Sequence, residues 1–241
     1  MRTCSDNMSD VTILVTSFLR PGCLAECMAS IKLWLPDCKV IVIDDGDLPL
    51  ALPDPGNCDW SLIRLPFDSG LSAKRNAGVK AATTKYVLLG CDDFYFFDAA
   101  RKGIELLIDA LGLFGPDNLR VRNSVVLASG RVDDNPYEGF LEYKKGEYIK
   151  ETRADVSSSV HEGDCQLVDL TVNYFLARTE ALKQFPWPEE MKIGGEHVCL
   201  FLDLKLAGKN VAWVKGVNVT TQLYDPSKQD PRYAQFRARA R

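Results

Sequence analysis

Short apolar, β-branched segments that alternate with helix-length stretches predict an α/β protein: an open, mostly parallel sheet flanked by helices, with a smaller antiparallel part in the second half. Two further observations support this. A chain of 241 residues with 46% hydrophobic and 26% charged residues has an ordinary globular balance, enough for one well-filled core. No repeat and no convincing linker divides it, so residues 1–241 read as a single domain. Polar clusters also follow directly on the apolar runs, at the strand ends where open α/β sheets collect ligands.

Residues 11–17 (VTILVTS) read as a buried parallel strand, and Phe18-Leu-Arg-Pro-Gly breaks it. Leu24, Met28, Ile31 and Leu35 recur at helical spacing, predicting a helix that ends near Pro36. Residues 39–43 (KVIVI) are a second buried strand running into Asp44-Asp45-Gly46, and 61–65 a third after a Pro-rich loop. A helix rich in small residues over 69–82 leads to a fourth strand, 85–89, which ends at Gly90-Cys91-Asp92-Asp93. Beyond it, 99–113 is helical and 125–129 a strand. The polar stretch 133–164 suggests an antiparallel hairpin or a mobile loop. Residues 168–177 read as one strand, 195–207 as a helix opened by two glycines, and 210–214 as a strand. The stretch 225–241 is polar and arginine-rich.

A net charge of −4 excludes a polycation built to grip phosphate backbones, although a local basic patch is still open. No apolar run approaches the roughly 18 residues of a membrane helix, so no stable membrane insertion is expected. The polar first residues carry no signal stretch, and the expected location is cytoplasmic, in a bacterium or, for a viral protein, in its host cell. The eight cysteines (Cys4, Cys23, Cys27, Cys38, Cys58, Cys91, Cys165 and Cys199) are scattered without C-x-x-C spacing. Reduced thiols are expected, with Cys23 and Cys27 acting as small buried hydrophobes on a helix.

The dinucleotide fingerprint, the phosphate-binding P-loop, H-E-x-x-H and G-x-S-x-G are all absent. What remains is a carboxylate-lined crevice: Thr16 to Arg20 after the first strand, Asp44-Asp45 after the second and Cys91-Asp92-Asp93 after the fourth. Lys74-Arg75-Asn76 lies beside it. Adjacent carboxylates are costly to hold together unless a cation neutralises them. A hard divalent ion, Mg²⁺ or Mn²⁺, shared with a diphosphate would do so, and the basic pair would cover the remaining phosphate charge. The plain alternative is a strand end solvated by acidic side chains.

These segments resemble the GT-A nucleotide-sugar glycosyltransferases of the family 2 type, most closely the catalytic domain of the β-1,4-N-acetylgalactosaminyltransferases (GM2 synthase). The resemblance is carried, in family order, by residues 11–20 (VTILVTSFLR), 42–47 (VIDDGD), 72–78 (SAKRNAG), 83–88 (TTKYVL), 92–94 (DDF), 169–178 (DLTVNYFLAR) and Glu196-His197. It implies a GT-A fold with a nucleotide-binding half at about 11–93, an acceptor-side half at about 94–225 and a basic C-terminal tail, 226–241. It also implies roles. Thr16, Phe18 and Arg20 would border the nucleotide, and Asp44 or Asp45 would hold the base or ribose. Lys74, Arg75 and Asn76 would face the diphosphate or sugar. Cys91-Asp92-Asp93 takes the D-x-D position, with Asp93 binding the metal and Asp92 facing the donor; Cys91 replaces the usual first carboxylate, and a thiol is a poor ligand for Mg²⁺. Glu196 would be the general base, because Cys199 stands where a second carboxylate is often found and Asp203 lies further along. His197 and Asn173 would contact the acceptor, with a metal contact or simple packing open for His197. A C-terminal histidine ligand of some relatives is missing from residues 217–222 (VNVTTQ).

The resemblance implies an inverting transfer from a nucleotide sugar, with uridine as the expected base. The stretch 133–164 is expected to close over the donor as a lid. Two acceptors are open: a glycan, or a hydroxymethylated DNA base of viral type. The tail Arg232-Tyr-Ala-Gln-Phe-Arg-Ala-Arg-Ala-Arg241, with Lys144, Lys145 and Lys150, would serve the second if it is not simply a frayed terminus. A non-catalytic sugar-nucleotide-binding relative is the alternative, because two cysteines stand where carboxylates are expected. A nucleotidyltransferase fits less well, lacking a Gly-rich basic loop after the first strand.

Overall fold

The computed structural model describes residues 8–113, 125–153, 161–162 and 164–238. The first half is a parallel unit: β1 (Val11–Ser17), α1 (Pro21–Trp34), β2 (Lys39–Asp44), β3 (Trp60–Arg64), α2 (Leu71–Ala81) and β4 (Tyr86–Cys91). The strands lie in the order β3-β2-β1-β4, all parallel. Chain order reverses between β1 and β4, and a crevice opens at their carboxyl ends.

The apolar runs lack polar alternation because both faces of the sheet are covered. Val11, Ile13 and Val15 of β1 pack with Leu24, Met28 and Ile31 of α1, while Leu14 packs with Ile41, Ile43 and Val79 on the other face. Gly78 lets α2 approach that closely, since a Cβ there would lie 2.8 Å from Ile43 Cδ1 and 3.0 Å from Leu14 Cδ1. Cys23 and Cys27 are buried on α1, and the seven described cysteines are free thiols.

The second half adds β5 (Phe94–Tyr95), α3 (Ala100–Leu113), β6 (Val125–Val132), β7 (Gly139–Lys144), β8 (Tyr148–Arg153), β9 (His161–Glu162), β10 (Cys165–Val168), β11 (Phe175–Arg178), α4 (Thr179–Gln184), α5 (Glu196–Leu206), β12 (Asn210–Thr221) and α6 (Tyr233–Ala238). The sheet continues from β4 as β11-β6-β12-β10-β9, with β5 paired to β12, making ten strands in all. β11 is antiparallel to both neighbours, β6 and β12 are parallel to each other, and β10 and β9 are antiparallel. Among the described residues no helix is long and apolar enough to cross a membrane.

Three expectations are corrected. Residues 168–177 are not one strand: β10 pairs with β12, whereas β11 sits between β4 and β6. The chain must leave the sheet to pass β6 and β12, and Asp169 anchors this crossing by accepting from the Leu141 N–H at 2.9 Å and pairing with Lys205. The last strand extends to Thr221, past an irregularity between Trp213 and Asn218. The tail is not a frayed end as far as residue 238. Arg232 forks onto Asp47 at 2.9 Å through both terminal nitrogens, the Asp230 N–H donates to the Leu19 carbonyl at 2.7 Å, and α6 docks on the crevice. Within 133–164 the hairpin alternative is realised as β7–β8; residues 154–160 and 163 lie outside the described residues, as do 239–241.

Candidate functional site

The crevice is a cavity of about 1080 Å³. Its walls are built from separate elements: Thr16, Ser17, Phe18 and Arg20 from the end of β1, Asp45 from the end of β2, and Lys74 and Arg75 from α2. Cys91, Asp92 and Asp93 come from the end of β4, Asn173 from the crossing before β11, and Glu196 and His197 from the start of α5. Eleven of the thirteen residues expected from the sequence therefore line one space. Asp44 and Asn76 do not. Asp44 pairs with Arg64 at 2.6 Å and accepts the Gly46 N–H at 3.1 Å; its burial raises the carboxyl above its usual range, with Arg64 opposing. Asn76 brackets the Trp187 backbone, donating at 2.9 Å and accepting at 3.0 Å, so it braces the wall from behind.

At the β2 end the charges are saturated. Lys74 Nζ donates to Asp45 Oδ1 at 2.5 Å and to the Ser17 carbonyl at 3.1 Å, while Asp45 Oδ2 accepts the Gly70 N–H at 2.8 Å. One residue along, Arg75 Nη1 donates to Glu196 Oε1 at 3.1 Å and its guanidinium lies 5.4 Å from the Trp187 ring centre. Arg75 Nε is buried with no partner, and burial lowers the pKa of this guanidinium despite Glu196.

At the β4 end, Arg20 Nη1 donates to Asp93 at 2.8 Å and Nε to Asp92 at 3.2 Å, with Nη2 also paired to Asp92. Asp92 is fully buried, and burial pushes its carboxyl up to about 6, against the pull of Arg20. Burial, with Asp93 and Asp92 beside it, also pushes the Cys91 thiol up, so it stays protonated and unsuited to a hard cation. The ligand atoms of Cys91, Asp92 and Asp93 lie within 4.8 Å of one another. Gln222 pins this turn from behind: its backbone N–H donates to the Asp93 carbonyl at 2.7 Å and its side chain to the Cys23 carbonyl at 2.8 Å.

Gly195, at φ +84°, turns the chain so that Glu196 opens α5 facing the cavity. His197 is buried, its Nε2 paired with the Thr171 carbonyl and its ring 4.9 Å from that of Phe201. Burial, with Arg75 nearby, lowers its pKa to about 3, so it is a neutral imidazole. Cys199 contacts Met191 Sδ at 3.6 Å, and Asp203 is exposed outside the cavity wall.

Sequence reasoning missed Tyr137 and the wall contributed by α6. Phe236 packs edge-on against Phe18 and Phe67, with ring centres 5.2 and 5.4 Å away, and Tyr233 lies 4.7 Å from the Arg20 guanidinium. Asp230 before Pro231 was the available signal: its carboxylate accepts the Arg232 N–H at 2.8 Å, capping the turn that starts the helix.

An open α/β sheet with paired carboxylates at its switch point is the GT-A architecture. Residues 12–118 match Glycosyl transferase family 2. Over 229 residues the chain is 33% identical to Beta-1,4 N-acetylgalactosaminyltransferase 2 of Mus musculus, a match covering 93% of this chain and 41% of that protein. It is 30% identical over 204 residues to Beta-1,4 N-acetylgalactosaminyltransferase 1 of Homo sapiens, covering 80% and 35%. The chain thus spans about two fifths, or less, of the length of these curated relatives. The crystal structure of S. aureus TarS in complex with UDP-GlcNAc shares the fold, with a TM-score of 0.57 at 15% identity over 89% of this chain and 59% of that one.

Proposed function

We propose that this chain is a glycosyltransferase that moves a hexose or N-acetylhexosamine from a UDP-linked donor to an acceptor hydroxyl, with inversion and with the help of Mg²⁺ or Mn²⁺. The observation that carries this reading is that Glu196 and the Asp92–Asp93 pair, from separate elements, line one cavity with Lys74 and Arg75. The names of the relatives support an N-acetylhexosamine, and the UDP and UDP-GlcNAc complexes of TarS support the donor class.

Glu196 Oε1 is engaged by Arg75, which leaves Oε2 to take the proton of the acceptor hydroxyl. The acceptor's hydroxyl oxygen bonds to the anomeric carbon as the bond from that carbon to the diphosphate oxygen breaks, and UDP leaves with the electron pair. Arg75 orients the base and offers its unpartnered Nε to the sugar or phosphate. The Asp92–Asp93 notch fits a divalent ion, because a cationic guanidinium already occupies it and Asp93 is partly open to the cavity. An ion bound there by Asp93 and Asp92 would supply positive charge for the departing diphosphate. Asp133, Asn135 and Tyr137 border the same cavity, which supports a lid role for the segment leading into β7.

A glycan acceptor is favoured over DNA. Arg232 is committed to Asp47 and Asp230, and Lys144 and Lys150 pair with Glu147 and Glu142, so part of the expected basic face is neutralised. The test is a panel of nucleotide sugars with Mn²⁺ or Mg²⁺, offered to glycans and to hydroxymethylated DNA. Metal-dependent transfer to a glycan, with the product anomer opposite to the donor, is the expected result. Transfer to DNA overturns the acceptor, and UDP binding without turnover of any donor leaves a sugar-nucleotide-binding relative.

A further inference from the structure

We propose that Arg20 is an exchangeable counter-cation. In the free protein it neutralises Asp92 and Asp93; when donor and divalent ion arrive together, it leaves the carboxylates and turns to the diphosphate. This rests on the reading of the chain as a metal-assisted, UDP-dependent transferase.

A single guanidinium occupies the donors that a cation would use. It bonds both oxygens of Asp92 and one of Asp93, and Nη2 lies 3.6 Å from Cys91 Sγ. Its backbone is fixed, because the Arg20 carbonyl accepts the Leu24 N–H at 3.0 Å at the start of α1 and Pro21 follows directly. The side chain alone is free to swing. Its outer face is held by the Tyr233 ring of α6.

The charges around the cavity require the exchange. Lys74 is spent on Asp45, Arg75 is shared with Glu196, and Lys192 pairs with Asp68 at 3.2 Å. Arg237 is exposed at the mouth. At the β4 end, one guanidinium therefore faces two carboxylates. A diphosphate arriving there meets net negative charge unless a divalent cation comes with it. A divalent ion at these carboxylates repels the guanidinium and draws on the same oxygens, so the two cations compete for them and Arg20 yields. A guanidinium fork suits phosphate oxygens as well as it suits carboxylates, which gives the released side chain its next partner.

The experiment is Mn²⁺ binding, by calorimetry and by the electron paramagnetic resonance signal of the free ion, with and without UDP. The proteins compared are wild type, Arg20→Gln, Tyr233→Leu and Asp93→Asn. Wild type is expected to take Mn²⁺ weakly alone and more tightly with UDP. Arg20→Gln should bind Mn²⁺ alone about tenfold more tightly than wild type, the worth of one charge-assisted hydrogen bond no longer competing. The enhancement by UDP should shrink in the same variant, since the phosphate loses its arginine. Tyr233→Leu should move in the same direction by about threefold, the worth of one cation–π contact, and serves if Arg20→Gln does not fold. Unchanged Mn²⁺ affinity in both variants overturns the exchange alone, provided that binding with UDP still depends on Asp93. If Mn²⁺ binds no better with UDP and Asp93→Asn changes nothing, the metal-assisted reading fails and takes the exchange with it.

Discussion

Lys74 and Arg75 are adjacent on α2, both are buried, and each pairs with a carboxylate; yet the two ends of the crevice they serve differ. At the β2 end, Lys74 and Asp45 bond each other, a carbonyl and a backbone N–H, so the local charges are fully engaged. At the α5 end, Arg75 and Glu196 share one contact and Arg75 Nε has no partner. Leaving a buried donor unpaired costs about 1–3 kcal/mol, which a fold carries where a ligand is to restore the bond. A saturated pair holds the framework, and an unsaturated one keeps a donor in reserve, as the proposed role of Arg75 requires.

The largest way to break this contrast is Glu196→Gln. It keeps an acceptor for Arg75 but removes the base, and the transfer rate should fall about 10²–10⁴-fold while UDP affinity, read by calorimetry, stays close to wild type. An equal loss of UDP binding would make Glu196 part of the framework instead. Lys74→Met tests the saturated end. It strands Asp45 and should lower stability in urea by about 3–5 kcal/mol; a loss below about 1 kcal/mol would place this pair with ordinary surface ion pairs.

His197 sharpens the comparison through pH. Its folded pKa of about 3 lies below the ordinary 6.5, so the unfolded chain takes up a proton that the folded chain refuses. Stability must then fall as pH drops below 6.5, by about 2 kcal/mol at pH 5 from this residue alone. Unfolding curves at pH 7 and 5 should show this slope in wild type and its loss in His197→Gln; equal slopes would mean that the imidazole is open to protons. The smallest effect is expected at Lys150, on the exposed hairpin, where pairing with Glu142 at 3.4 Å predicts a change within about 1 kcal/mol for Lys150→Ala in the same assay.

The strands β1, β2 and β4 were legible to within a residue or two, because burial on both faces writes an unbroken apolar run. Residues 168–177 were not, since apolarity does not say which slot of a sheet a segment fills. The helix α6 escaped notice because six residues carry too little periodicity, and its order rests on Phe18, Phe67 and Arg20 far away in sequence. The same limit applies within the site. Acidic and basic clusters at strand ends marked the crevice, but which charge saturates which depends on partners 29 residues apart for Lys74 and Asp45, and 121 apart for Arg75 and Glu196. Asp44 and Asn76 look identical to their neighbours in sequence, and only the register of β2 and the facing of α2 turn them away from the cavity.

The slot taken by β11 also constrains how the molecule comes to be assembled. β4 is made early but stays an open edge until residues 175–178 arrive beside it. A nascent chain that has completed the β3-β2-β1-β4 unit therefore displays a bare, apolar strand rim until β11, which begins at Phe175, has been made. Such a rim is sticky toward its own copies. The parallel half, for all its buried core, is a poor candidate for an independent folding unit, and the crevice takes its final form only with the late insertion that closes its flank.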